Sequence, residues 1–240
     1  MKSYSLANRF LTILPWPAPP EEPGADDVRS ALVRFPLVGL ALGLILVAGD
    51  FVFSLVFPIS IRNGILVVAL IVLTGGRPLT AAASCAGQLA WDKEGAEGAA
   101  YSGGLAIGAI LLLKFAALLA LSGEGRWSAL LLAPVLGRAV MAYLAVQVRE
   151  AGGGDGAAPY IPDEASLDEG YATVGWTLAV CLVFGWWWGL VIALVSAAAA
   201  VGIRRFIESR EGQWGGDIHS ASGEVIETFA LLLAAAWWSN

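Results

Sequence analysis

Few residues of this 240-residue chain carry the chemistry to bind or transform a ligand, and they fall into a few groups. In "GGDIHSASGEVIE", Asp217 and His219 come first, and Glu224 and Glu227 follow at an i, i+3 spacing that sets both carboxylates on one helical face. Carboxylates and an imidazole so placed can together hold a metal. The plainer alternative is a wet connection whose acids sit near a helix N-terminus because the dipole favours them there. A second acidic group, Asp92, Glu94 and Glu97, follows "LTGGRPLTAAASCAGQLAW". Lys114 and Arg138 stand in the middle of apolar runs, where each would cost about 2.5–3.5 kcal/mol if it faced lipid at mid-depth. They are expected to face a polar cavity, a carboxylate or an anionic ligand, with snorkelling as the bland alternative, above all for Lys114.

These groups must be positioned by membrane helices. Hydrophobic residues make up 58% of the chain and charged residues only 14%, against about a quarter in a soluble domain. The expected fold is all-α: a single integral membrane domain over 1–240, a polytopic bundle of about 5–7 transmembrane helices. The net charge of −6 comes mostly from acidic connections, and no basic tract points to nucleic acid. Cys85 and Cys181 lie far apart in apolar surroundings and read as buried free thiols.

Residues 1–34 form an interfacial segment, in which Leu6, Phe10, Ile13 and Leu14 fall near helical spacing and "PWP" follows in place of a signal-peptide cleavage site. A first span runs from about Phe35 to Phe57 and carries Gly39 and Gly43 in G-x-x-x-G spacing. Asp50 lies inside it, facing either a polar interior or the interface. The next apolar run, Gly64 to Leu73, is too short to cross before Gly75 and Gly76, so a second half-helix after Pro78 or a re-entrant loop must complete it. Spans over about Leu105 to Leu121 and Ser128 to Val146 carry Lys114 and Arg138. The acidic stretch 150–170 reads as an aqueous loop. Tyr171 to Ile203 has no charge and is long enough for one tilted helix or two shorter ones hinged near Gly185 or Gly189. Arg204, Arg205 and Arg210 favour a cytoplasmic connection before Gly215 and Gly216 form a second break ahead of the last apolar segment.

The order of these features resembles the cobalamin synthase family, the membrane enzymes also called adenosylcobinamide-GDP ribazoletransferases. "RFLTILPWP" resembles the family's F-L-T-R-L-P-x-P, and "LTGGRPLTAAASCAGQ" aligns without gaps to T-G-G-x-H-x-D-G-x-A-D-x-x-D-G. "LLLKFAALLAL", "APVLGRAVM" and "GGDIHSASGEVIE" resemble its L-L-L-K-F-A-A-L, A-P-x-L-S-R-x-x-M and G-G-x-T-G-D-x-L-G-A-x-x-E segments. The resemblance extends over nearly the whole chain.

It implies attack by α-ribazole or its 5′-phosphate on the phosphoanhydride of adenosylcobinamide-GDP, releasing GMP, with Mg2+ held by the motif carboxylates. It also implies a multi-pass protein of the cytoplasmic membrane, with corrinoid and nucleotide-loop enzymes as partners beside membrane lipid, and an oligomer is compatible. Carried over, Arg138, Lys114 and Glu227 become catalytic candidates, the two cations meeting phosphate. Gly75, Gly76, Thr80, Ser84, Gly215, Gly216 and Ser220 become substrate-binding candidates, and Asp92, Glu94, Glu97, Asp217 and His219 substitute metal ligands. The departures are specific. The family's His falls on Pro78 and its three Asp on Thr80, Ser84 and Gly87, while the Asp of the last motif falls on Ser220. Three readings follow: an active transferase, a silent paralogue that binds corrinoid or a partner enzyme, and a small-solute transporter, for which no internal repeat is evident.

Overall fold

A computed structural model describes residues 2–14, 25–150, 167–209 and 218–238. All regular elements among them are helical: α1 (Lys2–Leu11), α2 (Ala25–Leu32), α3 (Phe35–Ser54), α4 (Ile59–Leu73), α5 (Arg77–Ala120), α6 (Gly123–Glu150), α7 (Leu167–Glu208) and α8 (Ile218–Trp238). Five stretches are long and apolar enough to cross a membrane, or six if the bent pair α4 and the start of α5 counts as one span. This is the expected all-α, multi-pass bundle.

Its axis is α6, whose apolar stretch Gly125–Val146 is 89% buried because α3, α7 and α8 all pack on it. Glycines set the closeness of these crossings. A Cβ at Gly39 would meet the Pro134 carbonyl oxygen at 2.5 Å, and one at Gly43 would meet the Leu131 Cα at 2.8 Å, so the G-x-x-x-G of α3 is its contact with α6. On another face of α6, a Cβ at Gly137 would meet the Gly223 carbonyl oxygen at 2.8 Å, which brings α6 against α8.

The N-terminal helices do more than lie along an interface. Leu6, Ala7 and Leu11 of α1 and Val28, Ala31 and Leu32 of α2 are buried against Met141, Ala142, Ala145 and Val146 at one end of α6. The chain after α1 then meets the break between α4 and α5: Ile13 N–H donates to the Leu73 carbonyl at 2.9 Å, and Arg77 Nη1 donates to the Phe10 carbonyl at 3.3 Å. That break is the Gly75–Gly76 pair, at φ 65° and 68°, and it turns the chain by 86°. A second half-helix follows it, one of the two options left by the sequence.

Both long helices are hairpins. In α5, Gly95 (φ 66°, ψ −161°) reverses the chain, and a Cβ at Gly87 would meet the Ala99 carbonyl oxygen at 2.9 Å while one at Gly103 would meet that of Ala83 at 3.0 Å. In α7 the reversal is at Trp186 (φ 53°), and Thr173, Thr177 and Leu178 of one arm share a cleft with Ala193, Ser196 and Ala200 of the other. The expected loop at 150–170 is helical where it is described, since Glu150 ends α6 and 167–170 begin α7; residues 151–166 lie outside the described residues.

Candidate functional site

At the centre of the bundle, α5, α6 and α8 bring together Lys114, Arg138, Glu224 and Glu227. Lys114 Nζ lies 2.5 Å from Glu227 Oε1 and 2.6 Å from Glu224 Oε1. Arg138 Nη1 donates to the second oxygen of Glu227. All four residues are buried, Glu227 and Arg138 almost completely. The i, i+3 spacing on α8 thus aims both carboxylates at one lysine, and Gly137 and Gly223 thin the α6–α8 contact so that Arg138 reaches Glu227. Two basic and two acidic side chains are paired here in a site that would reject any one of them alone. Nε and Nη2 of Arg138 remain without acceptors.

The structure therefore meets the requirement that the mid-membrane cations face a carboxylate, and it does so within the chain. Lys114, Arg138 and Glu227 do come together, but each cation is engaged by a glutamate. Sequence reasoning used Glu224 as a metal ligand beside Glu227, and here both act as counter-ions. Two small voids adjoin this cluster, one beside Lys114 and Glu227, the other between Thr74, Lys114 and Glu224. The second lies just before the Gly75–Gly76 turn.

A second ionic cluster is not evident from the sequence. Arg126 donates through Nε to both oxygens of Asp50 at 3.1 and 3.0 Å and through Nη2 to Oδ1 at 2.7 Å, while Nη2 also meets Asn63 Oδ1 at 2.6 Å. Nη1 caps the Leu118 carbonyl at 2.7 Å, and Arg62 pairs with Asp50 at 3.0 Å. Asp50 thus faces a polar interior. Its partners tie α3 and α4 to α6 and the end of α5.

The magnesium motif positions are arranged differently. Thr80 and Ser84 are exposed on the first arm of α5. Thr80 Oγ1 donates back to the Gly76 and Arg77 carbonyls at 3.2 and 3.0 Å, and Ser84 Oγ accepts from Gln88 Nε2 at 3.4 Å. Gly87 faces the Ala99 backbone with no room for a side chain. Two hydroxyls and a glycine offer no carboxylate where a hard dication on phosphate needs one or two, so these positions do not fit Mg2+.

Of the substitute ligands, Glu97 is exposed beyond the Gly95 reversal, and His219 is buried with Nδ1 unpartnered. Ser220 is half-buried on the first turn of α8. The side chains of Asp92 and Glu94, and all of Gly215, Gly216 and Asp217, lie outside the described residues. Among the described residues, no three His, Cys, Asp or Glu side chains come close enough to hold a metal ion. Cys85 and Cys181 are buried and form no disulfide, as the sequence suggested.

A bundle with several helices long and apolar enough to cross a membrane, a break at a paired-glycine turn and charges locked between three helices defines a polytopic helical membrane protein. The chain belongs to the cobalamin synthase family: the family described as Cobalamin-5-phosphate synthase matches residues 3–85 and 95–235. It is similar to the adenosylcobinamide-GDP ribazoletransferase of Pseudomonas fluorescens, with 31% identity over 246 residues covering 97% of this chain and 98% of that one. The proteins of the same name from Pseudomonas savastanoi pv. phaseolicola and Pseudomonas putida are also 31% identical, the former over 98% of this chain and 99% of its own length, the latter over 97% and 98%. No solved structure matches the chain.

Proposed function

We propose that this chain is a catalytically silent member of the cobalamin synthase family, which keeps the membrane scaffold and binds a corrinoid or a partner enzyme of nucleotide-loop assembly in the cytoplasmic membrane. The observation that carries this reading is Gly87, the position of a family aspartate. A Cβ there would meet the Ala99 carbonyl oxygen at 2.9 Å, so the closed α5 hairpin occupies the space a metal-binding carboxylate would need. The family match lapses across 86–94, the same stretch. Further support comes from Lys114, whose Nζ is held between Glu224 and Glu227, and from Arg138, whose Nη1 is committed to Glu227.

The test is turnover by the purified chain in detergent or nanodiscs. With adenosylcobinamide-GDP, α-ribazole 5′-phosphate and magnesium, no GMP release above background is expected, and no growth when the gene is supplied to a strain lacking its synthase. Binding of adenosylcobinamide-GDP is read separately from corrin absorbance co-eluting with the protein, which separates a corrinoid binder from a partner of another enzyme. Chelator-sensitive GMP release would overturn the silent reading. Ligands would then be sought among Asp92, Glu94 and Asp217.

A further inference from the structure

The α7 hairpin builds a second site, away from the charged cluster. Its two arms straddle α6 and leave a cleft of about 180 Å³, floored by Leu136, Val140 and Tyr143 and walled by Thr177 and Ala193. The cleft opens sideways past Val174, Leu178 and Val201, which are exposed on a membrane-spanning stretch, so its mouth faces the bilayer. The lining is almost wholly apolar in area, and of its hydroxyls Thr177 Oγ1 donates to the Thr173 carbonyl at 2.8 Å and Tyr143 pairs with Arg204. Ser196 is 1% exposed, lines the cleft, and its Oγ has no hydrogen-bond partner. A buried hydroxyl in an apolar cleft favours an occupant that is mostly hydrocarbon and brings one acceptor.

The rim of the cleft adds charge. Arg204 and Arg205 follow Val201 on the same arm; Arg204 hydrogen-bonds Tyr143 of the cleft floor and Glu208, and Arg205 is exposed. Ser196 lies about two turns deeper than Arg204, and a helical arginine leans back along its own axis toward the preceding turn. Hydrocarbon below, an acceptor at the depth of Ser196 and an anion at the arginines describe one class of molecule.

We propose that this cleft is a binding site for an anionic glycerophospholipid: one acyl chain lies between the arms of α7, its ester carbonyl accepts from Ser196 Oγ, and its phosphate sits at the Arg204–Arg205 rim. Tail shape alone would admit any lipid, and the headgroup charge gives the selectivity.

The experiment uses the full chain in phosphatidylcholine nanodiscs doped with phosphatidylglycerol bearing a photoreactive diazirine near the middle of one acyl chain, with adducts mapped by peptide mass spectrometry. Adducts are expected to concentrate on 173–178 and 193–201. Unlabelled phosphatidylglycerol should compete at least fivefold better than added phosphatidylcholine. Ser196→Leu, which fills the cleft and removes the hydroxyl, should cut labelling there at least fivefold while labelling elsewhere persists, and Arg205→Gln should abolish the headgroup preference. Adducts spread evenly over all lipid-facing helices, or equal competition by the two lipids on the unmodified chain, would overturn the proposal. Because that competition needs no variant, it decides the question even if a substitution prevents folding.

Discussion

The smallest unit that decides how this protein works is one side chain, Glu227, whose two oxygens hold cations from two different helices. Removing its charge strands Arg138, because Glu224 pairs with Lys114 alone. Glu227→Gln is therefore expected to destabilise the protein by roughly 3–5 kcal/mol, the cost of an uncompensated buried charge. Glu224→Gln is expected to cost less, since Lys114 keeps Glu227. Thermal unfolding in detergent, followed by tryptophan fluorescence, reads both. A Glu227→Gln protein as stable as the parent would mean that Arg138 does not depend on that carboxylate, and would return it to the pool of anion-binding groups. The same reasoning applies to Asp50, which carries Arg126 and Arg62; Asp50→Ala should cost about 3–5 kcal/mol in the same assay. Only part of this was legible beforehand. The cost of a bare cation in lipid told that Lys114 and Arg138 need partners, but the partners lie 113 and 89 residues away and no local pattern names them. Asp50 and Arg126, 76 residues apart, gave even less: Arg126 sits just outside the apolar run and looks like an ordinary end-of-helix charge until α6 is folded against α3.

At the scale of elements, the positions of reversal matter more than the helices themselves. The Gly75–Gly76 turn could be read from the sequence, because a run of ten apolar residues ending in paired glycines cannot continue as one straight span. The α7 reversal was expected near Gly185 or Gly189 and occurs at Trp186, a non-glycine at φ 53°. The glycines have another task there. A Cβ at Gly185 would run into Leu132, and one at Gly189 would meet the Cys181 carbonyl, so these residues let the arms and α6 approach one another. Close approach and chain reversal both favour glycine, and sequence alone does not tell them apart. The α5 hairpin shows the consequence for function, and two neighbouring helical faces test it. Gly87→Leu places a side chain against the Ala99 backbone and should destabilise the hairpin by about 1–3 kcal/mol, whereas Gly104→Leu enters open space and should change stability by no more than about 0.5 kcal/mol. Limited proteolysis at the 91–97 reversal, compared with global unfolding, distinguishes the two. Equal behaviour would show that the arms part readily, and the motif positions would then be free to accept carboxylates. Closed arms predict that Thr80→Asp, Ser84→Asp and Gly87→Asp introduced together give no GMP release.

For the whole molecule, the two ends of the bundle differ in composition, and the difference predicts an orientation. Ser128 near the start of α6 donates to the Phe184 carbonyl beside the α7 reversal, and Trp188 stacks on Trp237 near the end of α8 at 4.0 Å between ring centroids. Trp127, Trp186 and Trp187 are exposed at this same end, an aromatic belt at one interface. The opposite end gathers α1 and α2 with Arg9, Arg29 and Arg34, the Arg77 turn that docks on α1, and Arg204 and Arg205 where α7 returns beside Tyr143. By the positive-inside rule, this arginine enrichment predicts that end on the cytoplasmic side. Each arm of α7 runs from the level of Tyr143 to that of Ser128, so residues 171 and 209 must lie on one side of the membrane even though 33 uncharged residues intervene between 171 and 203. Sequence left this open, because one tilted helix would put them on opposite sides. In a background with Cys85 and Cys181 replaced by alanine, Tyr171→Cys and Ser209→Cys should both react with a membrane-impermeant maleimide only when the cytoplasmic face is open, and Trp187→Cys only from the other face. Labelling of 171 and 209 from opposite faces would mean that α7 crosses once. The cleft between its arms, and the packing that holds Trp186 in its reversed conformation, would then not exist in the membrane.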